Sequence, residues 1–448
     1  MFIPLTRLVA PLLAAGLILV GLSPGAAQAA APPIEYRERV LENGLRVLSA
    51  VDETTPNVTV QVWYGVGAKD DPEGRSGFAH LFEHMMFKTT RNMPAEMLDR
   101  MTEDVGGFNN ASTWDDFTNY FEVVPANHLR RILWAEAERM GALVVDPEIF
   151  NSERDVVKEE LRQRVLADPY GRLFALMIPQ ASYEVHPYRR PGIGSIAELD
   201  AATIDDVRAF HRDYYRPDNA VLIVIGNFQP AELDAWVDEY FAPLSRPAAP
   251  LKRVDVQEPP RQAPGVFHGY GPNVPLPAVV ITWHGPSATD PDAAAVRVLD
   301  AILSGGKSSR LYNGLVYDQQ LAVEVMSQAD LPQQPGLIAV AAILSSGQDV
   351  AAGEAALLAE VARLRDAPVS AAELDEAKNE LLAGELRSRE TVDGRAFALG
   401  YAWAVSGDPA AANRQLAQLQ AVTAADVQRA ARRYLAEARR MTIFYRNE

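Results

Sequence analysis

The sequence predicts an α+β protein of two homologous domains, each an α/β sandwich in which a mainly antiparallel sheet carries helices on one face. Three observations lead to this expectation. The 448 residues exceed the size at which a single hydrophobic core stops growing. Segments with strand periodicity occur in runs, with helical segments grouped between them. One sequence pattern also recurs at a fixed offset, which indicates an internal duplication.

The composition excludes several functional classes. Hydrophobic residues make up 48% of the chain and charged residues 23%, which is typical of a folded protein. The 42 lysines and arginines face 59 acidic residues, and a net charge of -17 argues against nucleic-acid binding. The absence of cysteine excludes disulfides, cysteine nucleophiles and thiolate metal sites. Any metal must therefore be held by carboxylates and by some of the seven histidines.

Residues 1–29 have the pattern of a secretory signal peptide. Arg7 precedes an apolar run from Leu8 to Leu22, and small residues lead to an expected cleavage site after Ala29. The alternative is a retained membrane anchor, but this apolar run is shorter than the roughly 20 residues that span a bilayer. We therefore expect an exported, periplasmic protein without stable membrane insertion after cleavage.

The first domain is expected at residues 30–242. Its predicted strands are Arg46–Ala50, Asn57–Val66, Phe117–Val124 and Ala220–Ile225, and its predicted helices are Ser76–Lys88, Ala126–Val145 and Pro147–Ala167. Prolines at positions 247, 250, 259 and 260 indicate an extended linker over residues 243–264. The second domain is then expected at residues 265–448.

The duplication is seen as one ungapped offset shared by three segments. The first occurrence of the pattern begins at Thr203 and the second at Thr423, and 423 minus 203 is 220. The related pairs are Thr203–Val207 with Thr423–Val427, Ala220–Ile225 with Arg440–Tyr445, and Glu153, Lys158 and Glu160 with Glu373, Lys378 and Glu380. Similarity between unrelated amphipathic helices is the alternative, but it does not predict one common offset.

The candidate chemistry lies on the predicted helix that begins at Ser76, which is available as its N-cap. His80, Glu83 and His84 share one helix face, because positions three and four apart are neighbours. Two imidazoles at this spacing can bind one zinc ion, with the carboxylate beside the metal and free to deprotonate a bound water. Structural histidines with a solvated glutamate are the alternative interpretation.

The His-x-x-Glu-His order resembles the inverzincin metallopeptidases of the pitrilysin family, and the chain is most similar to bacterial relatives of the mitochondrial processing peptidase. The resemblance implies a third ligand about 76 residues after the second histidine, and 160 minus 84 is 76. Glu160 is therefore the implied zinc ligand, and Glu153 is the implied residue that orients a ligand or the metal-bound water. Their seven-residue separation places both glutamates on one helix face.

Three protein ligands leave a fourth zinc position open, as in catalytic sites. The resemblance implies a zinc-dependent endopeptidase in which Glu83 acts as general base on a zinc-bound water and returns the proton to the departing amine. Manganese or cobalt could occupy the same ligand set. No other cofactor is expected.

The segment Gly106-Gly107-Phe108-Asn109-Asn110-Ala111-Ser112-Thr113 resembles the edge strand to which peptide substrates add in this family, and its residues Phe108, Asn109, Asn110, Ala111 and Ser112 are the implied substrate-binding residues. Asn110 and Ala111 would be the main contacts, and sequence preference would be loose. Without the resemblance, an ordinary glycine-containing loop that leads into the next strand is the simpler interpretation.

The second half lacks the histidines, because the offset maps His80, Glu83 and His84 near Asp300, Leu303 and Ser304. It also lacks an arginine and a tyrosine, seven residues apart, with which related peptidases stabilise the tetrahedral intermediate. Their positions align with Val316 and Val323, whereas Arg310 and Tyr312 precede them. This departure implies a heterodimer whose homologous partner supplies the pair. The alternative is a non-proteolytic assembly or peptide-binding protein of the same fold.

Overall fold

A computed structural model of the protein describes residues 32–448, so the predicted signal peptide lies outside the described residues. Within residues 32–448, no helix is long and apolar enough to cross a membrane.

The first half of the described chain forms a six-stranded, mainly antiparallel sheet. Its strands are β1 (Arg37–Val40), β2 (Arg46–Val51), β3 (Asn57–Tyr64), β4 (Phe108–Thr113), β5 (Thr118–Pro125) and β6 (Ala220–Gly226). The strand order is β1-β2-β6-β3-β5-β4, and only β2 and β6 pair in parallel. β4 is therefore an edge strand, paired with β5 on one side.

Helices cover one face of this sheet. They are α1 (Phe78–Met85), α2 (Met97–Glu103), α3 (Leu129–Ala142), α4 (Pro147–Glu160), α6 (Ile196–Asp200), α7 (Ile204–Tyr214) and α8 (Pro230–Tyr240), whereas α5 (Ile178–Ser182) packs on the sheet of the second half. Val60 and Val62 of β3 share a buried core with Phe82 of α1, Ile132 of α3 and Phe210 of α7. Burial of these apolar faces fixes α1 against the sheet.

The second half repeats this architecture. Its strands are β7 (Gly265–Gly271), β8 (Ala278–His284), β9 (Ala322–Asp330), β10 (Leu337–Leu344) and β11 (Met441–Asn447), in the order β7-β11-β8-β10-β9. Only β7 and β11 pair in parallel. The order and the single parallel pair match β2-β6-β3-β5-β4 of the first sheet, and β9 is the edge strand equivalent to β4.

The helices of the second half are α9 (Ala293–Ser304), α10 (Val350–Asp366), α11 (Ala371–Ser388), α12 (Val392–Ser406), α13 (Ala411–Ala421) and α14 (Ala424–Tyr434). α7 and α14 begin with the same capping box, in which Thr203 pairs with Asp206 and Thr423 with Asp426. The predicted fold class of two homologous α/β domains related by duplication is confirmed.

Each sheet is covered on its second face by the other half of the chain. α12 packs on the first sheet, where Trp63 lies so close to Gly400 that a Cβ on the glycine would be 2.2 Å from the indole ring. Leu173 and Met177, from the first half, pack on the second sheet. The two halves therefore bury their sheets reciprocally.

Several boundaries differ from the sequence predictions, among them those of two helices that bear candidate site residues. The α-helix predicted over Ser76–Lys88 spans only Phe78–Met85. The helix predicted over Pro147–Ala167 is α-helical to Glu160 and continues as π-helix over Leu161–Leu166. The residues between Tyr240 and Gly265 form no helix or strand.

Candidate metal centre and active site

α1 is held at its start by a residue that the sequence did not indicate. Gly77 adopts a left-handed conformation with φ 87°, and the Asp71 carboxylate accepts hydrogen bonds from the backbone N–H groups of Gly77 (2.7 Å) and Ala79 (2.8 Å). The prediction that Ser76 caps this helix is wrong, because the Ser76 side chain makes no capping hydrogen bond. Buried Asp71 instead satisfies the free N–H groups of the first turn.

The two histidines of α1 meet the last residue of α4. Nε2 of His84 lies 3.4 Å from Oε2 of Glu160, and Nε2 of His80 lies 3.6 Å from the same oxygen. One ligand atom from each of the three residues falls within a group whose members are all within 4.8 Å of one another. In residues 32–448, this is the only such group of three or more histidine or acidic side chains.

These distances fit a shared metal ion better than direct hydrogen bonds. Two ligands at about 2.1 Å from a tetrahedral zinc ion lie roughly 3.4 Å apart. Nδ1 of His80 is buried and has no hydrogen-bond partner among the described residues. Burial and the neighbouring His84 lower the pKa of His80 to about 4, so its ring is neutral at pH 7, the form that binds a metal.

Glu83 lies beside this group and is held by the edge strand. The Thr113 hydroxyl donates a hydrogen bond of 2.5 Å to Oε2 of Glu83. Burial raises the pKa of Glu83, and the hydrogen bond from Thr113 opposes that change. A carboxylate with a raised pKa is suited to accept a proton from water near neutral pH.

Glu153 lies one helical heptad before Glu160 and contacts the other side of His84. Its Oε2 is 3.6 Å from Nδ1 of His84, and its Oε1 is 3.1 Å from Nζ of Lys88. Although burial acts to raise it, the pKa of Glu153 is lowered by His84 and Lys88. A carboxylate in this position can fix the orientation of the His84 ring.

Glu160 is oriented by a residue of the π-helical segment. Nη1 of Arg164 lies 2.8 Å from Oε1 of Glu160, while Oε2 faces the two histidines. The two carboxylate oxygens are therefore used in different directions. Single π-helical turns of this kind are frequent at functional sites.

The five residues predicted to bind substrate all lie on edge strand β4. The helix-facing side chains of Asn109 and Thr113 reach Thr102 of α2 and Glu83 of α1, respectively. On the opposite face, Phe108 is 48% exposed. The strand thus has an unpaired edge beside the candidate metal ligands. The alternative interpretation of this segment as an ordinary loop is wrong, because Phe108–Thr113 forms a strand.

The equivalent position in the second half has no histidine. Asp300 and Ser304 of α9 bind Ser327 of β9. Glu380 of α11 faces the end of α9, where a Cβ on Gly305 would be 2.6 Å from its carboxylate. The duplicated helix pair persists there without the two histidines.

Val316 and Val323 are the second-half residues that the family resemblance leads us to expect in place of the arginine and tyrosine of related peptidases. Val316 falls in the π-helical segment Tyr312–Asp318, and Val323 of β9 is 54% exposed. Arg310 forms a bidentate ion pair with Glu373, at 2.8 and 3.2 Å. Arg310 is thus engaged within its own domain, and the two valines offer no hydrogen-bond donor.

Sequence reasoning assigned no role to Asp71, Lys88, Thr113 or Arg164. Thr113 had a usable signal, because alternation along β4 places it on the same face as Asn109 and Ala111. Asp71 had none, since its contact with α1 depends on the path of the intervening turn.

Comparisons with known proteins match both halves of the chain. Residues 46–194 match the family model described as Insulinase (Peptidase family M16), and residues 201–381 match the Peptidase M16 inactive domain. The chain is 31% identical over 348 residues to "Zinc protease PqqE" of Helicobacter pylori, covering 77% of this chain and 78% of that protein. The chain therefore belongs to peptidase family M16, a family with members named as zinc proteases.

Solved structures share the fold. The crystal structure of a protease from Helicobacter pylori superposes with a TM-score of 0.87 at 28% identity, over 93% of this chain and 100% of that chain. The periplasmic protease PqqL from Escherichia coli superposes with a TM-score of 0.75 at 18% identity, over 94% of this chain but only 48% of that chain. The two-domain chain therefore corresponds in fold to about half of the longer protein.

Proposed function

We propose that this protein is a zinc-dependent endopeptidase that hydrolyses peptides or unfolded polypeptides. The observation that carries the proposal is the convergence of His80, His84 and Glu160 on one point, with Glu83 beside them. The protein's membership of a peptidase family that includes zinc proteases supports it.

In this proposal, His80, His84 and Glu160 hold the metal. A zinc ion in this ligand set would polarise the scissile carbonyl and lower the pKa of a water molecule. Glu83 accepts the proton of the attacking water and transfers it to the departing amine. The edge of β4 binds the peptide backbone and aligns the scissile bond with Glu83.

Substitution of Glu83 by glutamine tests this mechanism. Glu83→Gln removes the proton acceptor but preserves the side-chain size, so peptide hydrolysis should fall by more than about 100-fold. Metal analysis of the same sample should give the zinc content of the wild type. Glu159→Gln is the matched control, because Glu159 lies next to Glu160 in the chain but is exposed and pairs with Arg162 and Gln163. Full activity of Glu83→Gln would disprove the role of the base.

We further propose that the chain is the catalytic subunit of a heterodimer. Val316 and Val323 cannot donate a hydrogen bond to the developing oxyanion, so a homologous partner would supply an arginine and a tyrosine. The fold similarity to half of a longer protease is consistent with this arrangement. The purified chain should hydrolyse peptides slowly until a homologous subunit with the pair is added, and undiminished activity of the chain alone would contradict the proposal.

A second candidate function is peptide binding without hydrolysis, which the two valines also favour. The same experiment separates the two functions. A zinc-loaded chain that binds a peptide but does not cleave it, even with the homologous subunit present, would be a binding protein.

Export to the periplasm is part of the proposal and depends on the signal pattern of residues 1–29. Amino-terminal sequencing of the protein from a periplasmic fraction should begin after Ala29. A protein that retains Met1 in the membrane fraction would instead support the anchor.

A further inference from the structure

Thr113 connects the edge strand to Glu83. It is the last residue of β4, it pairs with Thr118 of β5, and its hydroxyl lies 2.5 Å from Oε2 of Glu83. Both side chains are partly buried. Within residues 32–448, no other side chain donates a hydrogen bond to the Glu83 carboxylate.

The neighbouring hydroxyls determine where the Thr113 proton points. Thr118 donates its proton to the carbonyl oxygen of Val66 at 3.0 Å. The two threonine hydroxyls are 3.5 Å apart, which is a weak contact compared with 2.5 Å to Glu83. Because a hydroxyl has one proton to donate, the Thr113 proton is directed to Glu83.

The backbone of Thr113 faces the open side of the sheet. The N–H of Trp114 bonds to Phe117 across the β4–β5 hairpin, whereas the N–H of Ala111 bonds to the side chain of Asn110 rather than to β5. Backbone groups of alternate residues in an edge strand point to opposite sides. Asn109, Ala111 and Thr113 therefore direct their backbone groups to the unpaired edge.

We propose that Thr113 is a positioning residue that holds Glu83 through its hydroxyl while its backbone lies at the edge where the peptide would bind. This inference rests on the proposed peptidase function. One residue then fixes the distance between the bound peptide backbone and the general base. Positioning of this kind matters because a displacement of about 1 Å at a reacting group can cost roughly 100-fold in rate.

The test compares Thr113→Val, which removes the hydroxyl at nearly constant shape, with Thr113→Ser, which keeps it. Assays use the zinc-loaded chain in the preparation that cleaves peptides, alone or with its homologous partner. Thr113→Val should lower kcat by about 10- to 100-fold with little change in KM or zinc content. Thr113→Ser should remain within about threefold of the wild type if the hydroxyl is the active feature.

Thr442→Val provides the matched control. The Thr442 hydroxyl donates a 2.7 Å hydrogen bond to Glu354 in the second half, so its loss is chemically similar but remote from the site. This variant should keep the kcat of the wild type. In the Glu83→Gln background, Thr113→Val should cause no further loss, because the group that it positions is already inactive.

A crystal structure of zinc-loaded Thr113→Val gives a readout other than activity. The Glu83 carboxylate should leave its wild-type position or occupy several rotamers. The inference would be overturned if Thr113→Val kept the Glu83 conformer or the kcat of the wild type, or if it lost zinc. It would also be overturned if Thr113→Ser did not keep the activity of the wild type. A wild-type preparation that cleaves no peptide would reject the proposed function itself, and a fully active Glu83→Gln would reject Glu83 as the base. An inactive Glu83→Gln with normal Thr113→Val would reject only the role of Thr113.

Discussion

Oε2 of Glu160 lies 3.4 Å from Nε2 of His84, although 76 residues separate the two positions in the chain. The packing of α4 on α1 produces this contact, and the buried Phe82 and Val157 contribute to the core that holds these helices. The candidate ligands thus depend on the core of the first domain as much as on the helix that bears the histidines.

Glu160→Gln should weaken zinc binding by more than about 100-fold, because a neutral amide replaces one of three charged or strongly donating ligands. Isothermal titration calorimetry of the metal-free protein measures this. The control variant Glu159→Gln, which changes the exposed residue next to Glu160, should bind zinc with the affinity of the wild type. Equal affinities in the two variants would exclude Glu160 as a ligand.

Glu153→Gln should weaken zinc binding by only about 10- to 100-fold, since Glu153 contacts His84 and not the converging ligand atoms. Comparing the zinc affinities of Glu153→Gln and Glu160→Gln in the same calorimetric experiment shows which glutamate contributes more to metal binding. A larger loss for Glu153→Gln than for Glu160→Gln would reverse their assigned roles.

Gly77→Ala should destabilise the first domain by about 2 to 5 kcal/mol, because an L-residue is strained at positive φ and the new Cβ must be accommodated in a packed turn. That Cβ would lie 2.7 Å from the carbonyl oxygen of Ile193. Gly74→Ala is the control, since Gly74 also has positive φ but a Cβ added there would meet no atom within 4 Å. The free energy of unfolding of Gly74→Ala, measured by denaturant unfolding, should fall by only about 1 to 2 kcal/mol.

Asp115 should make the stability depend on pH. Burial raises the pKa of this carboxyl to about 8, with contributions from the charges of Asp330 and Asp116 that Lys69 partly offsets. The folded state therefore holds a proton that the unfolded chain loses above about pH 4, so stability falls as pH rises toward 8.

Asp115→Asn removes this titration. The variant should gain stability relative to the wild type between pH 5 and pH 8, and the gain should grow as the pH rises through this range. Thermal unfolding at several pH values measures the difference. The control variant Asp205→Asn replaces a side chain that is 89% exposed. Its stability relative to the wild type should not vary with pH in this way. A parallel response of both variants would contradict the prediction.

The sequence predicted those features of the fold and of the candidate site that follow from the spacing of residues along the chain. The spacing of His80, Glu83 and His84 placed them on one helix face, and the structure has them on α1. The 220-residue offset predicted the equivalence of α7 and α14, whose capping boxes agree residue for residue. The shared helix face depends on neighbours within a few positions and the duplication on one constant offset, so both can be read directly from the chain.

Contacts that depend on the path of the chain were not predictable in this way. The Asp71 cap on α1 arises from a turn that has no clear sequence signal. The Arg164 contact with Glu160 was also missed, although its i,i+4 spacing can be read from the chain. Glu160 itself was identified through the family resemblance rather than from periodicity. The reciprocal cover of the sheets by α12 and by residues near Leu173 was not anticipated.

The free edge of β4 has a consequence for how targets would be chosen. An edge strand recognises main-chain N–H and C=O groups, which every polypeptide has but which folded proteins already use in their own helices and sheets. Proteins in their native state would thus be spared, whatever their sequence. Damaged or newly translocated chains would be exposed to cleavage, so the conformational state of a chain, more than its side chains, would decide its lifetime.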